Sequence, residues 1–122
     1  MIRAIFVMLS IFMVAGCALQ FSPQDSGPST ARESAAWQLT QEGIQHLNAG
    51  RPDNAIRSFE QAIGLNPNNG QCYYYMAQAW MAKGVISEAR QFNGLARDYL
   101  KDDPGWEQRV LVQSSRIEQL SQ

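Results

Sequence analysis

The feature that most constrains this chain is a repeat with a period of 34 residues, which begins near residue 36. A shift by that period aligns small residues with small ones and large residues with large ones. The aligned pairs are Leu39 with Tyr73, Gly43 with Ala77, His46 with Trp80, Leu47 with Met81, Gly50 with Gly84, Ala55 with Ala89, Ala62 with Ala96 and Leu65 with Tyr99. Matching of this kind is typical of a packing interface that the chain uses twice, so the sequence predicts a helical repeat.

Glycine and proline mark the ends of the predicted helices. Gly50 and Gly84 follow helical runs and suit the left-handed conformation that ends a helix. Pro52 stands just inside the next helix, where a missing N–H costs nothing. Pro67, surrounded by asparagines, turns the chain into the next unit. Gly43 and its counterpart are expected in mid-helix, where a neighbouring helix approaches too closely for a larger side chain.

The pattern resembles the tetratricopeptide repeat, a helix–turn–helix unit, over about residues 36–100. The stretch GRPDNAIRSFEQAIGLNPNN is especially close to the family pattern, whereas Asn93 replaces an expected aromatic and Lys101 an expected proline. The matching residues are Leu39, Gly43, Ala55, Phe59, Ala62 and Pro67 in the first unit, and Tyr73, Ala77, Trp80, Ala89 and Ala96 in the second.

This resemblance implies an all-α fold, a short α-solenoid of two helix–turn–helix tetratricopeptide repeats and a C-terminal capping helix. The repeats are expected at about residues 36–69 and 70–103, and the capping helix at about 104–120. In that helix Val110, Ser114 and Ile117 are expected to face the core, with Ser114 at the tight contact. Two repeats and a cap fall short of the three usually needed for stability, so a dimer or a bound partner is plausible.

The N-terminus has the pattern of a secretory signal. Residues 1–16 hold one basic residue, Arg3, and an apolar run that is too short to span a bilayer, which takes about 20 residues. The following Val14-Ala15-Gly16-Cys17 resembles the lipobox of bacterial lipoproteins, which implies cleavage before Cys17 and covalent lipid on its thiol. The alternatives are an ordinary secretory signal or an uncleaved hydrophobic anchor. Ala18 after the cysteine favours the outer membrane, where the organism has one.

Residues 17–34 are then expected to form the lipidated cysteine and a flexible tether, because they are rich in Ser, Pro, Gly and Gln. The folded domain is expected over residues 35–122, facing the periplasm.

In the tetratricopeptide family the first helix of each pair lines a concave groove that receives a peptide or a helix. Carried over to this chain, the groove residues are Trp37, Thr40, Ile44, Leu47, Asn48, Gln71, Tyr74, Gln78, Met81 and Ala82. This surface is apolar and rich in amides, so the expected partner segment has apolar or aromatic anchors, with Trp37 and Tyr74 as its main contacts. The alternatives are a self-association face, or residues that merely close a small core.

Other functions find little support in the sequence. A net charge of −1 with interspersed signs disfavours nucleic acid. The single histidine, His46, is expected to pack against the paired helix, and no catalytic motif, cofactor site or metal-ligand cluster is expected. Cys72 is either buried or paired in an intermolecular disulfide.

The predicted function is therefore a non-enzymatic adaptor, held on the membrane by lipid at Cys17. Its partner is expected to be another envelope protein, as in pilus, secretion or cell-wall machinery. The alternatives are a self-associating structural lipoprotein, which would form a homodimer, and a small-molecule-binding domain.

Overall fold

A computed structural model describes residues 28–122, which form five α-helices and contain no strand. The helices are α1 (Pro28–Asn48), α2 (Pro52–Leu65), α3 (Gly70–Ala82), α4 (Ile86–Leu100) and α5 (Pro104–Leu120). Helices α1 and α2 form one closely packed pair, α3 and α4 form the second, and α5 packs on the end of the second pair. The predicted all-α architecture of two repeats and a capping helix is confirmed.

The turns inside the two repeats have the same geometry. Gly50 has a φ of 72° and Gly84 a φ of 77°, the left-handed conformation that glycine adopts without strain. After the first glycine, the Arg51 N–H donates to the His46 carbonyl at 2.9 Å; after the second, the Val85 N–H donates to the Trp80 carbonyl at 3.0 Å. These bonds satisfy carbonyls at the ends of α1 and α3. The predicted helix-ending role of both glycines is confirmed.

The core depends on small residues where helices cross. Ala55, Ala62, Ala89 and Ala96, the alanines that the repeat aligned, are all fully buried. A Cβ atom on Gly43 would lie 2.4 Å from Cε1 of Phe59, which is itself fully buried. The aromatic ring of α2 therefore occupies the space over Gly43, and the predicted close approach at this position is confirmed.

Helix α1 begins earlier than the sequence predicted. It starts at Pro28, so residues 28–34 are helical and do not belong to a flexible tether. A proline fits the first turn of a helix, because its missing N–H has no intrahelical partner there. Ala31 and Arg32 then favour continuation of the helix. The predicted signal segment, Cys17 and the rest of the tether lie outside the described residues.

A buried amide network fastens the capping helix. Asn93 of α4 donates through Nδ2 to the Val110 carbonyl and to Oε1 of Gln113, both at 3.0 Å. Gln113 in turn donates through Nε2 to the Tyr74 carbonyl of α3 at 2.9 Å. Asn93 thus replaces the aromatic of the family pattern with hydrogen bonds to α5.

The same network explains an error in the predicted face of the capping helix. Val110 and Ile117 are buried as predicted, but Gln113 is the buried residue between them. Ser114 is only half-buried and accepts a hydrogen bond from Arg97 at 3.1 Å. Its predicted place at the tight contact is wrong, because the amide of Gln113 hydrogen-bonds to Asn93 and to the Tyr74 carbonyl, whereas Ser114 turns toward an exposed arginine.

Candidate partner-binding surface

The first helices of the two repeats and the capping helix lie side by side, since α3 contacts both α1 and α5. A cavity of about 340 Å³ opens where these three helices end. We call it the groove cavity; its lining residues are Leu47, Gln78, Met81, Ala82, Arg116 and Leu120. The lining thus combines four aliphatic or thioether side chains with one amide and one guanidinium group.

Four of the predicted groove residues meet in this cavity: Leu47 from α1, and Gln78, Met81 and Ala82 from α3. Arg116 and Leu120 were missed, because the groove positions were carried over only to the two repeats. The repeat period does not place these two residues in the groove, because their position depends on how α5 packs on α3.

The predicted place of Thr40 in the groove is wrong. The residue is fully buried. Its hydroxyl donates to the Ala36 carbonyl at 2.8 Å and accepts from Asn69 Nδ2 at 3.2 Å. Asn69 also accepts the Cys72 N–H through its side chain as the N-cap of α3. Thr40 therefore links α1 to the start of the second repeat.

Tyr74 is half-buried, and its ring contacts the capping helix. Its ring packs edge-on against Trp106 of α5, with ring centroids 5.4 Å apart, and its hydroxyl accepts from Gln78 Nε2 at 3.0 Å. Tyr75 also packs edge-on against Trp106, at 6.1 Å. The guanidinium of Arg109 lies over the Trp106 ring, 4.8 Å from its centroid. We call Tyr74, Tyr75, Trp106 and Arg109 the aromatic cluster; it joins α3 to the capping helix.

The remaining predicted groove residues lie outside the cavity. Trp37 is 51% exposed on α1, and Asn48 is exposed at the end of the same helix. Ile44 is half-buried and packs against the core of the first repeat. Gln71 is half-buried in the first turn of α3. The structure does not bring these four residues into one site with the cavity.

A second cavity, of about 270 Å³, is polar and lies between α1 and α2. Ser58 Oγ donates to Glu42 Oε1 at 3.3 Å, and His46 Nε2 lies 3.6 Å from the same carboxylate oxygen. The carboxylate therefore stands between the hydroxyl and the imidazole. A serine nucleophile needs a base on its own hydroxyl, oriented in turn by a third group, and this order is reversed here.

Cys72 is fully buried, and its Sγ donates to the Phe59 carbonyl at 3.5 Å. Burial raises the pKa of this thiol to about 12, against an ordinary 9.0, and a hydrogen bond with Thr40 opposes the shift in part. The buried alternative is therefore correct for Cys72, and a disulfide through it requires local unfolding. Within residues 28–122, no three His, Cys, Asp or Glu side chains form a group that could hold a metal ion.

None of the five described helices combines the length and apolarity needed to cross a bilayer.

Paired antiparallel helices with equivalent glycine turns and an alanine-lined interface define a helical-repeat solenoid. The chain belongs to the tetratricopeptide repeat family, because the sequence model described as Tetratricopeptide repeat matches residues 46–108. The repeats of this family serve protein–protein interaction. No curated protein and no solved structure matches the chain.

Proposed function

We propose that this protein is a lipid-anchored adaptor of the bacterial envelope. Its tetratricopeptide domain faces the periplasm and captures a peptide or helix of another envelope protein. The anchor is Cys17 in the outer membrane, and the partner belongs to an assembly such as pilus, secretion or cell-wall machinery. The observation that carries the proposal is the groove cavity, which lies where the first helices of the repeats meet the cap.

The lining of the groove cavity supports a protein partner. Its aliphatic wall offers apolar area to a side chain of the partner, and Gln78 offers an amide that can orient a backbone or a polar group. A volume of about 340 Å³ suits a few side chains of a bound segment. The proposal includes no catalytic step, and the arrangement of Ser58, Glu42 and His46 supports this reading, since the imidazole does not contact the hydroxyl directly.

Photocrosslinking in the native cell tests the adaptor function. A photoreactive amino acid replaces Gln78, which lines the cavity, and in a matched control it replaces Gln91, which is exposed on α4. The proposal predicts one dominant foreign protein crosslinked through position 78 and not through position 91. Crosslinks from position 78 to a second copy of this chain would support the self-associating alternative. Identical products from both positions would contradict a specific groove.

Metabolic labelling with an alkyne fatty acid tests the anchor. The proposal predicts labelled protein in the membrane fraction, with the label lost in Cys17→Ser and kept in Cys72→Ser. The second variant is the matched control, since it removes the chain's other thiol, which is buried in the core. Label retained in Cys17→Ser, or label absent from the unaltered protein, would refute lipidation at this residue.

A further inference from the structure

The groove is bordered by positive charge that has no acidic counterpart. Helix α3 contains no Asp, Glu, Lys, Arg or His. The predicted groove residues of α1 are uncharged as well. The charges on this surface therefore come from the capping helix, through Arg116 in the cavity wall and Arg109 in the aromatic cluster.

Neither arginine takes part in an ion pair within the described part of the chain. The two acidic residues of α5 form no ion pair with either arginine. Glu118 pairs with Arg90 of α4 at 3.1 Å, and Glu107 stands in the first turn of the helix. Both guanidinium groups are thus available to a bound segment.

The spacing of the two arginines along α5 suits two separate acidic side chains of one bound segment. They are seven residues apart on one helix, which is two turns and about 10.5 Å along its axis. Arg109 is held over Trp106, and Arg116 lies beside Leu120, which is 53% exposed. Two acidic side chains of one segment match this axial spacing when they are about seven residues apart in a helix or about three in an extended chain.

We infer that the groove selects an acidic segment of a partner protein in which an aliphatic side chain lies beside a carboxylate. The aliphatic side chain enters the cavity between Leu47, Met81 and Leu120. The neighbouring carboxylate pairs with Arg116, and a second acidic side chain reaches Arg109. This inference rests on the proposed function and narrows the partner to an acidic sequence with aliphatic anchors.

Peptide selection tests the inference. The probe is a random library of peptides displayed on phage and selected at low salt on the full chain purified in detergent. Enriched peptides are then synthesised and their affinities measured for the unaltered protein, for Arg116→Gln and for Arg57→Gln. Arg57→Gln is the matched control, because it makes the same charge change at an exposed residue that lines the other cavity, between α1 and α2. Circular dichroism checks that the variants are folded.

The expected result is enrichment of Asp or Glu at a fixed distance from Leu, Ile or Met. Arg116→Gln should then weaken binding by about two- to fivefold at low salt, with a smaller effect at high salt, because an exposed ion pair is screened. Arg57→Gln should leave the affinity nearly unchanged.

Three results separate failure of the inference from failure of the proposed function. Neutral or basic peptides that bind equally to Arg116→Gln but are weakened by Met81→Ala would overturn the acidic partner and keep the groove. Peptides whose binding depends on a free C-terminal carboxylate would also overturn the inference. Absence of any peptide that depends on Met81 would count against the groove itself.

Discussion

Replacing Gly43 by alanine should destabilise the protein, although alanine is the better helix former. The new Cβ would lie 2.4, 2.6 and 2.9 Å from three ring atoms of Phe59. That ring is fully buried and packs against Tyr75, with centroids 6.4 Å apart, so it has little room to move. A contact this short requires the two helices of the first repeat to separate or the ring to leave its rotamer.

The expected size follows from two opposing effects. Alanine in place of glycine inside a helix contributes about 1 kcal/mol of stability. Overpacking of a well-filled core costs about 1–3 kcal/mol, and a steric overlap this severe places Gly43→Ala near the upper end. The net loss should be about 1–2 kcal/mol, which lowers the Tm of a domain of this size by roughly 5–15 °C.

Urea and thermal unfolding followed by far-ultraviolet circular dichroism provide the measurement. Gly94→Ala is the matched control, because a Cβ at that helical position meets no atom within 4 Å; it should stabilise the protein by about 0.5–1 kcal/mol. In the double variant Gly43→Ala/Phe59→Leu, the loss of stability should be smaller than the sum of the losses in the two single variants, since the smaller side chain relieves the overlap. Equal stabilisation by Gly43→Ala and Gly94→Ala would refute the close packing of α1 on α2.

Three further predictions concern the capping helix and the core. Asn93→Leu removes the donor of two buried hydrogen bonds to α5, so it should cost about 1–3 kcal/mol in urea unfolding; an effect no larger than that of exposed Gln91→Leu would contradict the network. Tyr74→Ala removes the edge-on contact with Trp106 and should lower stability by about 1–3 kcal/mol, whereas Tyr74→Phe should retain most of it. Unchanged stability in Tyr74→Ala would instead indicate that this residue serves binding alone. The pKa of Cys72 is raised to about 12 in the folded protein from 9.0. Above pH 9 the unfolded chain therefore loses the thiol proton while the folded protein keeps it, so the free energy of unfolding should fall by up to about 1.4 kcal/mol per pH unit from pH 9 toward pH 12 and should not be affected by this group below pH 9. The fall should be smaller in Cys72→Ala, and an equal fall in both proteins would contradict this prediction.

The sequence predicted the repeat geometry because it is dictated by local chemistry repeated at a fixed period. A glycine with positive φ after each first helix and alanines at each crossing have few structural alternatives. The same local reasoning failed at the start of α1. Proline in a Ser- and Gly-rich stretch indicated a tether, but proline is also compatible with the first turn of a helix, and Pro28 occupies that place.

The binding surface was predicted less completely, because it depends on contacts between distant residues. Thr40 lies on the same side of α1 as groove residues, yet its hydroxyl is used by Asn69, a partner 29 residues away. Gln113 and Ser114 are neighbours on α5, and Gln113 is the buried one because Asn93 and the Tyr74 carbonyl, both on other helices, bind its amide. Arg116 entered the cavity through the packing of α5 on α3, which the repeat period alone does not determine.

The most direct test of the central claim uses the partner protein that photocrosslinking at position 78 identifies. Its affinity is measured for two matched variants of this chain. Met81→Ala removes a wall of the groove cavity, and Leu111→Ala removes an aliphatic side chain that is 45% exposed on α5 outside it. If the groove binds the partner, Met81→Ala should weaken binding by at least about tenfold in titration calorimetry, and Leu111→Ala should leave it nearly unchanged. Equal affinities for both variants, or a larger loss in Leu111→Ala, would place the binding surface elsewhere.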